Sequence, residues 1–387
     1  MIKRDITDIA RKYSKYFSVL AIVGPRQSGK TTFVKNTFDK FDYRNLEEPD
    51  VLQFAENDAR SFLEYRGKGL IVDEAQRVPQ LFSYIQSIVD KNPKAKFILT
   101  GSQNFMLYEK ITQSLAGRIG ILKLLPFSQS ELKVNSKTDI YELIFKGFYP
   151  PIHDKNIPPE VWLPNYIQTY IDRDVRQIKN ITDYSLFSKF IRICAGRTGQ
   201  IVNLSSISDD VGISVNTVKA WLSILETSFI ITLLRPYHTN YNKRIIKAPK
   251  LYFFDTGLVA SLLGIKNSQQ LNEHYMKGAL FENLLISELI KFYYNKAIEP
   301  PIYFWRDKLG REIDILVDTD NGILALEFKS ASTANVSFSK NLEYWNNLSG
   351  NSPNNSYVFY GGEKSFSTKA AQFLPWFKLN GILNESW

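Results

Sequence analysis

The chain holds a single cysteine, Cys194, in 387 residues. One thiol cannot close an intrachain disulfide, and it cannot build a cysteine-based zinc site. Cys194 lies in an apolar, helically spaced stretch and reads as a core residue. Histidine is nearly as scarce: the three, His153, His238 and His274, are widely separated, which argues against a histidine-based metal cluster. No apolar run approaches the roughly 20 residues that a membrane-spanning helix needs. The first residues, Met1-Ile2-Lys3-Arg4-Asp5, lead into a charged amphipathic stretch and not into the apolar core of a signal sequence. These absences give the expectation of a cytoplasmic chain with no membrane partner.

The composition is that of a folded protein, 44% hydrophobic and 22% charged. The length exceeds what one ordinary core serves, so two or three domains are expected. The net charge of +9 is compatible with a nucleic-acid partner and equally with a basic protein that has none.

One stretch organises the rest. Gly24-Pro25-Arg26-Gln27-Ser28-Gly29-Lys30-Thr31 fits the phosphate-loop pattern G-x-x-x-x-G-K-[ST]. Val19–Val23 before it reads as a buried parallel strand, and Thr32–Phe38 after it reads as a helix. A strand, a glycine-bearing loop and a helix N-terminus make an anion site from free backbone N–H groups and the helix dipole. Lys30 would reach the β- and γ-phosphates of ATP, and the Thr31 hydroxyl would ligate Mg²⁺. The expected nucleotide contacts are Gly24, Pro25, Arg26, Gln27, Ser28, Gly29, Lys30, Thr31 and Thr32.

A second motif follows in Gly69-Leu70-Ile71-Val72-Asp73-Glu74, an apolar strand ending in two acids, which is the Walker B arrangement. Asp73 is placed to hold the Mg²⁺ shell, and Glu74 to act as general base toward the attacking water. The next strand, Lys96–Ser102, ends in Thr100-Gly101-Ser102. Either Thr100 or Ser102 could bond the γ-phosphate or the lytic water, as on an AAA-type sensor strand. Arg118, in Leu115-Ala116-Gly117-Arg118, is a candidate arginine finger that would act in trans only in a homo-oligomer. The N-terminal region is further expected to contain a helix over residues 1–18, a strand over Leu124–Ser128 and a helix near Gln129–Leu132.

The middle of the chain is expected to hold a helix over Val161–Lys179 and another over Leu186–Ala195. Residues 204–222 then read as a helix-turn-helix, with Gly212 in the turn and Ser214 capping the second helix. Phe229–Leu234 and Lys250–Phe254 would be two wing strands, with Arg235, Lys243, Arg244, Lys247 and Lys250 as a basic wing for phosphate contact. The second helix offers only Asn216, Thr217 and Lys219 as polar readers, a thin set for sequence recognition.

The last third begins with an apolar helix, Leu280–Ile290, bearing Glu282. Strands over Ile302–Arg306, Arg311–Val317 and Ile323–Lys329 follow. Glu327 and Lys329 share a strand face because side chains alternate, and Asp314 lies on the neighbouring strand. Asp314 and Glu327 could hold Mg²⁺, and Lys329 could position water or stabilise charge at phosphorus. This D…E-x-K set resembles the PD-(D/E)xK nuclease core, with Glu282 as a further acid. The opposing reading is a retained fold that does not cut.

Taken in order, the phosphate loop, Asp73-Glu74 with Gln76-Arg77-Val78-Pro79, Leu99-Thr100-Gly101-Ser102, Leu115–Arg118, and Glu312-Ile313-Asp314 with Glu327-Phe328-Lys329 resemble the prokaryotic AAA-type ATPases fused to a C-terminal domain of unknown function with a nuclease-like fold. The resemblance spans nearly the whole chain. It implies an α/β protein: an N-terminal P-loop AAA-type ATPase domain (1–150), a helical connector with a central winged-helix domain (151–265) and a C-terminal restriction-endonuclease-like α/β domain (266–387). It implies ATP and Mg²⁺ as cofactors. The expected activity is ATP hydrolysis controlling a nucleic-acid-directed module. The alternative is a nucleotide-dependent switch or scaffold acting on a protein, with a silent nuclease-like domain.

Overall fold

The computed structural model describes residues 2–101, 115–170, 183–237 and 248–385. The chain forms two compact units. The first comprises Met1–Phe127, Thr227–Ile230 and Tyr293–Glu299; the second comprises Ser128–Glu226, Ile231–Phe292 and Pro300–Trp387.

The first unit is built on five parallel strands: β1 (Val19–Val23), β2 (Asp42–Asn45), β3 (Leu70–Asp73), β4 (Phe97–Gly101) and β5 (Ile119–Lys123). Their order is β2-β3-β4-β1-β5. β1, β3 and β4 are buried along their whole length, as the unbroken apolar runs of a sheet covered on both faces require. Because β4 lies between β1 and β3, the carboxyl ends of the strands carrying the phosphate loop and the two acids flank the end of β4. Ligands of open parallel sheets bind at such carboxyl ends, where the strand order reverses.

Helix α1 spans Thr7–Tyr16, so the expectation of a helix from residue 1 is corrected: residues 2–6 lie outside it. It packs Ala10, together with Ile6 just before its first turn, into the core with Leu20, Ile22 and Leu122. Gly120 on β5 makes room for it, since a Cβ there would fall 2.7 Å from the Phe17 ring. The strand expected over Leu124–Ser128 is also corrected. Pairing with β1 runs over Ile119–Lys123 and ends there; Pro126, with no N–H to donate, follows closely. Residues 129–133 form turns and not a helix.

In the second unit, helix α8 (Pro159–Tyr170) begins two residues before its expected start; the expected continuation through Lys179 lies outside the described residues. Trp162 and Tyr166 stack on its face with ring centroids 4.9 Å apart. Helix α9 spans Tyr184–Gly196. Helices α10 (Leu204–Val211) and α11 (Val215–Thr227) are joined through Gly212, whose φ of 88° ends α10 in the left-handed region that glycine tolerates. The Ser214 hydroxyl accepts from Thr217 N at 3.1 Å, capping α11. Strands β6 (Ile231–Leu234) and β7 (Lys250–Phe253) form an antiparallel pair.

A six-stranded mixed sheet completes this unit, in the order β12-β13-β11-β10-β9-β8. Its strands are β8 (Ile302–Arg306), β9 (Glu312–Thr319), β10 (Gly322–Lys329), β11 (Ser356–Tyr360), β12 (Phe366–Ser367) and β13 (Gln372–Pro375). β9 and β10 are a hairpin, and both run beyond the strands expected over Arg311–Val317 and Ile323–Lys329: Gly322 pairs directly with Thr319. Helix α15 (Lys340–Ser349) lays Leu342 and Trp345 against Ile313, Ala325 and Val358. The long helix α14 (Lys277–Asn295) carries Asn283, whose amide accepts from Phe253 N and donates to Phe253 O, at 2.7 and 2.9 Å. Asn283 thus satisfies both backbone groups of a residue on β7.

Candidate functional site

The phosphate loop leaves β1 at Gly24. A Cβ there would fall 2.1 Å from the Leu124 carbonyl oxygen, so only glycine lets the loop pass so close to the segment following β5. Gln27 and Gly29 both adopt left-handed backbone, with φ of 61° and 89°. Such alternation lines up successive N–H groups into an anion-binding concavity. Helix α2 (Lys30–Thr37) starts at the loop's end. Lys30 is buried, and its ammonium donates to Gly24 O and Pro25 O at 2.9 and 2.7 Å. Ser28 is fully buried, and its hydroxyl has no hydrogen-bond partner among the described residues. Arg26 reaches toward Glu47 at 3.9 Å, and Thr32 is exposed on the first turn of α2.

Asp73 gathers hydroxyls from three elements. Its Oδ2 accepts from Thr31 Oγ1 at 2.7 Å and from the Tyr43 phenol at 2.7 Å. Its Oδ1 accepts from Thr100 Oγ1, which in turn accepts from Glu74 N at 3.2 Å. Of the two sensor candidates, Thr100 is fully buried against Asp73, while Ser102 lies outside the described residues. Glu74 has a φ of 55° and accepts from the Gln76 amide. The left-handed turn re-aims the chain directly after Asp73.

Arg118 stands apart from these residues. Its guanidinium forks onto Asp90, with Nε–Oδ1 at 2.5 Å and Nη2–Oδ2 at 3.0 Å. That bond is the largest influence on its pKa and pushes it up. The Arg118 carbonyl accepts from Val19 N, at the start of β1, whereas the phosphate loop leaves the other end of that strand. At about 3.3 Å per residue the two ends of β1 are roughly 13 Å apart.

The C-terminal acids also come together. Leu326 pairs with Ile315, so the next opposed positions of the hairpin are Glu327 and Asp314. Asp314 Oδ2 accepts from Phe328 N at 2.8 Å. Lys329 Nζ lies 2.5 Å from Glu327 Oε2 and 3.5 Å from Asp314 Oδ2. Glu327 is 1% exposed and its Oε1 has no partner among the described residues. Burial first, and then the Asp314 charge, hold the Glu327 carboxyl well above the usual range. Burial opposes the Lys329 charge, but Asp314 and Glu327 push its pKa up on balance.

Glu282 joins this cluster from α14, accepting from the Tyr252 phenol at 2.5 Å and from Lys250 Nζ at 3.3 Å. Lys250 also pairs with Glu312, which Arg306 approaches from its other side at 3.3 Å. The expectation of Lys250 as a wing cation offered to phosphate is corrected here. Lys250 is 3% exposed and its charge is spent on two internal carboxylates. Lys243, Arg244 and Lys247 lie outside the described residues.

Both oxygen-rich sites suit a hard divalent cation. Among the described residues, no set of three or more His, Cys, Asp or Glu side chains is arranged to hold a metal. Mg²⁺ seldom needs one, since it keeps several waters and binds through one or two carboxylates together with substrate phosphates. The Thr31 hydroxyl beside Asp73, the partnerless Ser28 hydroxyl and the partnerless Glu327 oxygen fit such groups.

Residues 16–133 match the family model described as an AAA domain. This unit is an ATPase-like P-loop domain. Residues 137–269 and 277–379 match two further models, each described as a domain of unknown function (DUF8612 and DUF4143). The chain is 27% identical over 346 residues to an uncharacterized protein of Mycobacterium tuberculosis, covering 87% of this chain and 75% of that one. It is 23% identical over 374 residues to an uncharacterized protein of Methanocaldococcus jannaschii, covering 81% and 82%. Among solved structures, it is similar to the Walker-type ATPase of Pyrococcus abyssi, with 15% identity, a TM-score of 0.47, and coverage of 68% of this chain and 96% of that one. No helix among the described residues is long and apolar enough to cross a membrane.

Three residues around these sites had no role assigned from sequence, Tyr43, Tyr252 and Glu312, and Lys250 had a different one. Tyr43 is brought to Asp73 by the pairing of β2 with β3, and local sequence carries no signal for that neighbour. Lys250 and Tyr252 share a face of β7 by alternation, so a cation and a phenol two apart could have marked a strand facing acids.

Proposed function

We propose that the protein binds and hydrolyses ATP with Mg²⁺, and that its nucleotide cycle controls a nucleic-acid-directed, nuclease-like module in the C-terminal third. The observation that carries the ATPase half is the 2.7 Å bond between Thr31 and Asp73, which joins the phosphate loop to the acid strand at one point. Thr31 and Asp73 would hold Mg²⁺, which supplies charge neutralisation at the phosphates. Gly24 to Gly29 present backbone N–H groups, and Lys30 exchanges its two carbonyl partners for phosphate oxygens. Thr100 orients Asp73, and Glu74 takes the proton of the attacking water. Arg118, at the far end of β1, can serve a γ-phosphate only on another copy of the chain.

For the C-terminal module, the support is the meeting of Asp314, Glu327 and Lys329 with a buried oxygen left over on Glu327. Asp314 and Glu327 would hold Mg²⁺ there, and Lys329 would stabilise charge at phosphorus. The helix pair α10–α11 with the β6–β7 hairpin suits a winged helix, which would make the middle of the chain, 151–265, a domain between the other two. With Lys250 committed inside, backbone contact falls to the basic residues between β6 and β7.

The test is ATP turnover with and without duplex DNA over a salt series, with the DNA monitored for nicks in Mg²⁺. Stimulation that falls steeply with salt supports nucleic-acid coupling. Nicking that is lost in Lys329→Ala supports a cutting module. Turnover indifferent to DNA, with the DNA intact, rejects the coupling and favours a protein-facing switch.

A further inference from the structure

Arg4 lies outside every motif, in the segment before α1, and is 8% exposed. Its guanidinium donates from Nη1 to Ser28 O at 2.8 Å and from Nη2 to Leu125 O at 2.6 Å. It also sits 5.0 Å from the centroid of the Phe127 ring. One side chain therefore ties the crest of the phosphate loop to the segment following β5. The same segment crowds the loop's other end, where Leu124 O closes on Gly24.

We infer that Arg4 is a positioning residue of the nucleotide site, holding the Ser28–Gly29 peptide so that its N–H serves the β-phosphate. This inference rests on the nucleotide-binding reading above. The peptide bonds are trans, and in a planar trans peptide the carbonyl and the following N–H point in opposite directions. Fixing Ser28 O on Arg4 directs Gly29 N–H away from Arg4. Gly29, with φ of 89°, is the left-handed member of the loop that immediately precedes α2, so its N–H belongs to the anion-binding set. A lysine at position 4 keeps the charge but lacks the planar fork that spans two carbonyls. The cation also sits one peptide away from where phosphate charge would lie, adding attraction in a buried setting. Nothing in the local sequence around Arg4 signals this, because the contact spans 24 residues to Ser28 and 121 to Leu125.

The experiment measures dissociation constants of ADP and AMP for the full chain, for Arg4→Met, Arg4→Lys and Lys30→Ala, together with melting temperatures of each without nucleotide. The expected result is an ADP affinity about tenfold weaker in Arg4→Met, the scale of losing a charged hydrogen bond. AMP, which has no β-phosphate, should bind with little change, and Arg4→Lys should fall between. Equal loss for ADP and AMP would overturn the inference in favour of a general structural role, and so would ADP binding equal to the wild type. If Arg4→Met fails to fold, the ADP-to-AMP ratio in Arg4→Lys decides the same question. A wild type that binds no ADP, or a Lys30→Ala variant that binds it equally well, would instead overturn the nucleotide reading itself.

Discussion

The phenol of Tyr43 donates to Asp73 Oδ2 at 2.7 Å, the same oxygen that accepts from Thr31. Burial first, and then the bond to Asp73, push the Tyr43 pKa up, so the phenol stays a donor throughout the working range. Lys35 lies 3.6 Å above its ring and holds it in place. A cation approaching Asp73 Oδ2 must compete with that hydroxyl. Tyr43→Phe removes the competitor and keeps the ring. The half-saturating Mg²⁺ concentration for ATP turnover should fall by about tenfold, the scale of one hydrogen bond to a charged group. An unchanged or higher Mg²⁺ requirement would show that Tyr43 supports the metal-binding form.

Lys250 and the Glu282–Glu312 pair make a second prediction. Lys250 is 3% exposed between two carboxylates, so Lys250→Met leaves buried negative charge without a counter-ion. Removing one partner of such a set costs about 3–5 kcal/mol. Chemical denaturation should show that loss, and adding Glu282→Gln to Lys250→Met should recover part of it. Independent, additive effects of the two substitutions would contradict the pairing.

The pH dependence follows from Glu282 itself. Burial, and then the Asp314 charge, raise its carboxyl from an ordinary 4.5 to about 7. The folded chain therefore binds this proton more tightly than the unfolded chain. The resulting stabilisation is complete below about pH 4.5 and is lost as the pH rises through about 7. Melting temperature measured from pH 5 to 8 should fall less in Glu282→Gln than in the wild type. A steeper fall in the variant would reverse the sign of the argument.

Cys194 supplies a probe of folding. It is fully buried on α9, and burial pushes its thiol up to about 12. It should resist a thiol reagent in the native state at pH 8 and react at the rate at which the surrounding core opens. Immediate stoichiometric labelling would contradict its placement in the core.

How far the sequence carried the architecture depended on whether each signal was local. The phosphate loop, the acids ending β3 and the E-x-K of β10 are fixed by neighbours within a few residues, and the structure places them on the expected strands and loop. Asp314 and Glu327 could be matched because a hairpin makes their opposition countable along the chain. Tyr43 and Arg4 could not be found that way, because both reach their partners through the order of a parallel sheet or a contact across 121 residues. Lys250 misled for a related reason. Its basic neighbours suggested a solvated wing, whereas its place at the start of β7 points it to Glu282 and Glu312. The misplaced strand at 124–128 shows the same limit: apolar residues run on past Lys123, but the partner strand β1 ends at Val23.

The most direct measurement is single-preparation ATP turnover and ATP binding for the wild type, Lys30→Ala and Glu74→Gln in Mg²⁺. The account predicts that Lys30→Ala loses binding, while Glu74→Gln still binds ATP and turns it over at least about a hundredfold more slowly, the range expected for removing a general base. Turnover in Glu74→Gln equal to the wild type, or binding unaffected in Lys30→Ala, would contradict the claim that this loop and this acid strand form an ATP-hydrolysing site.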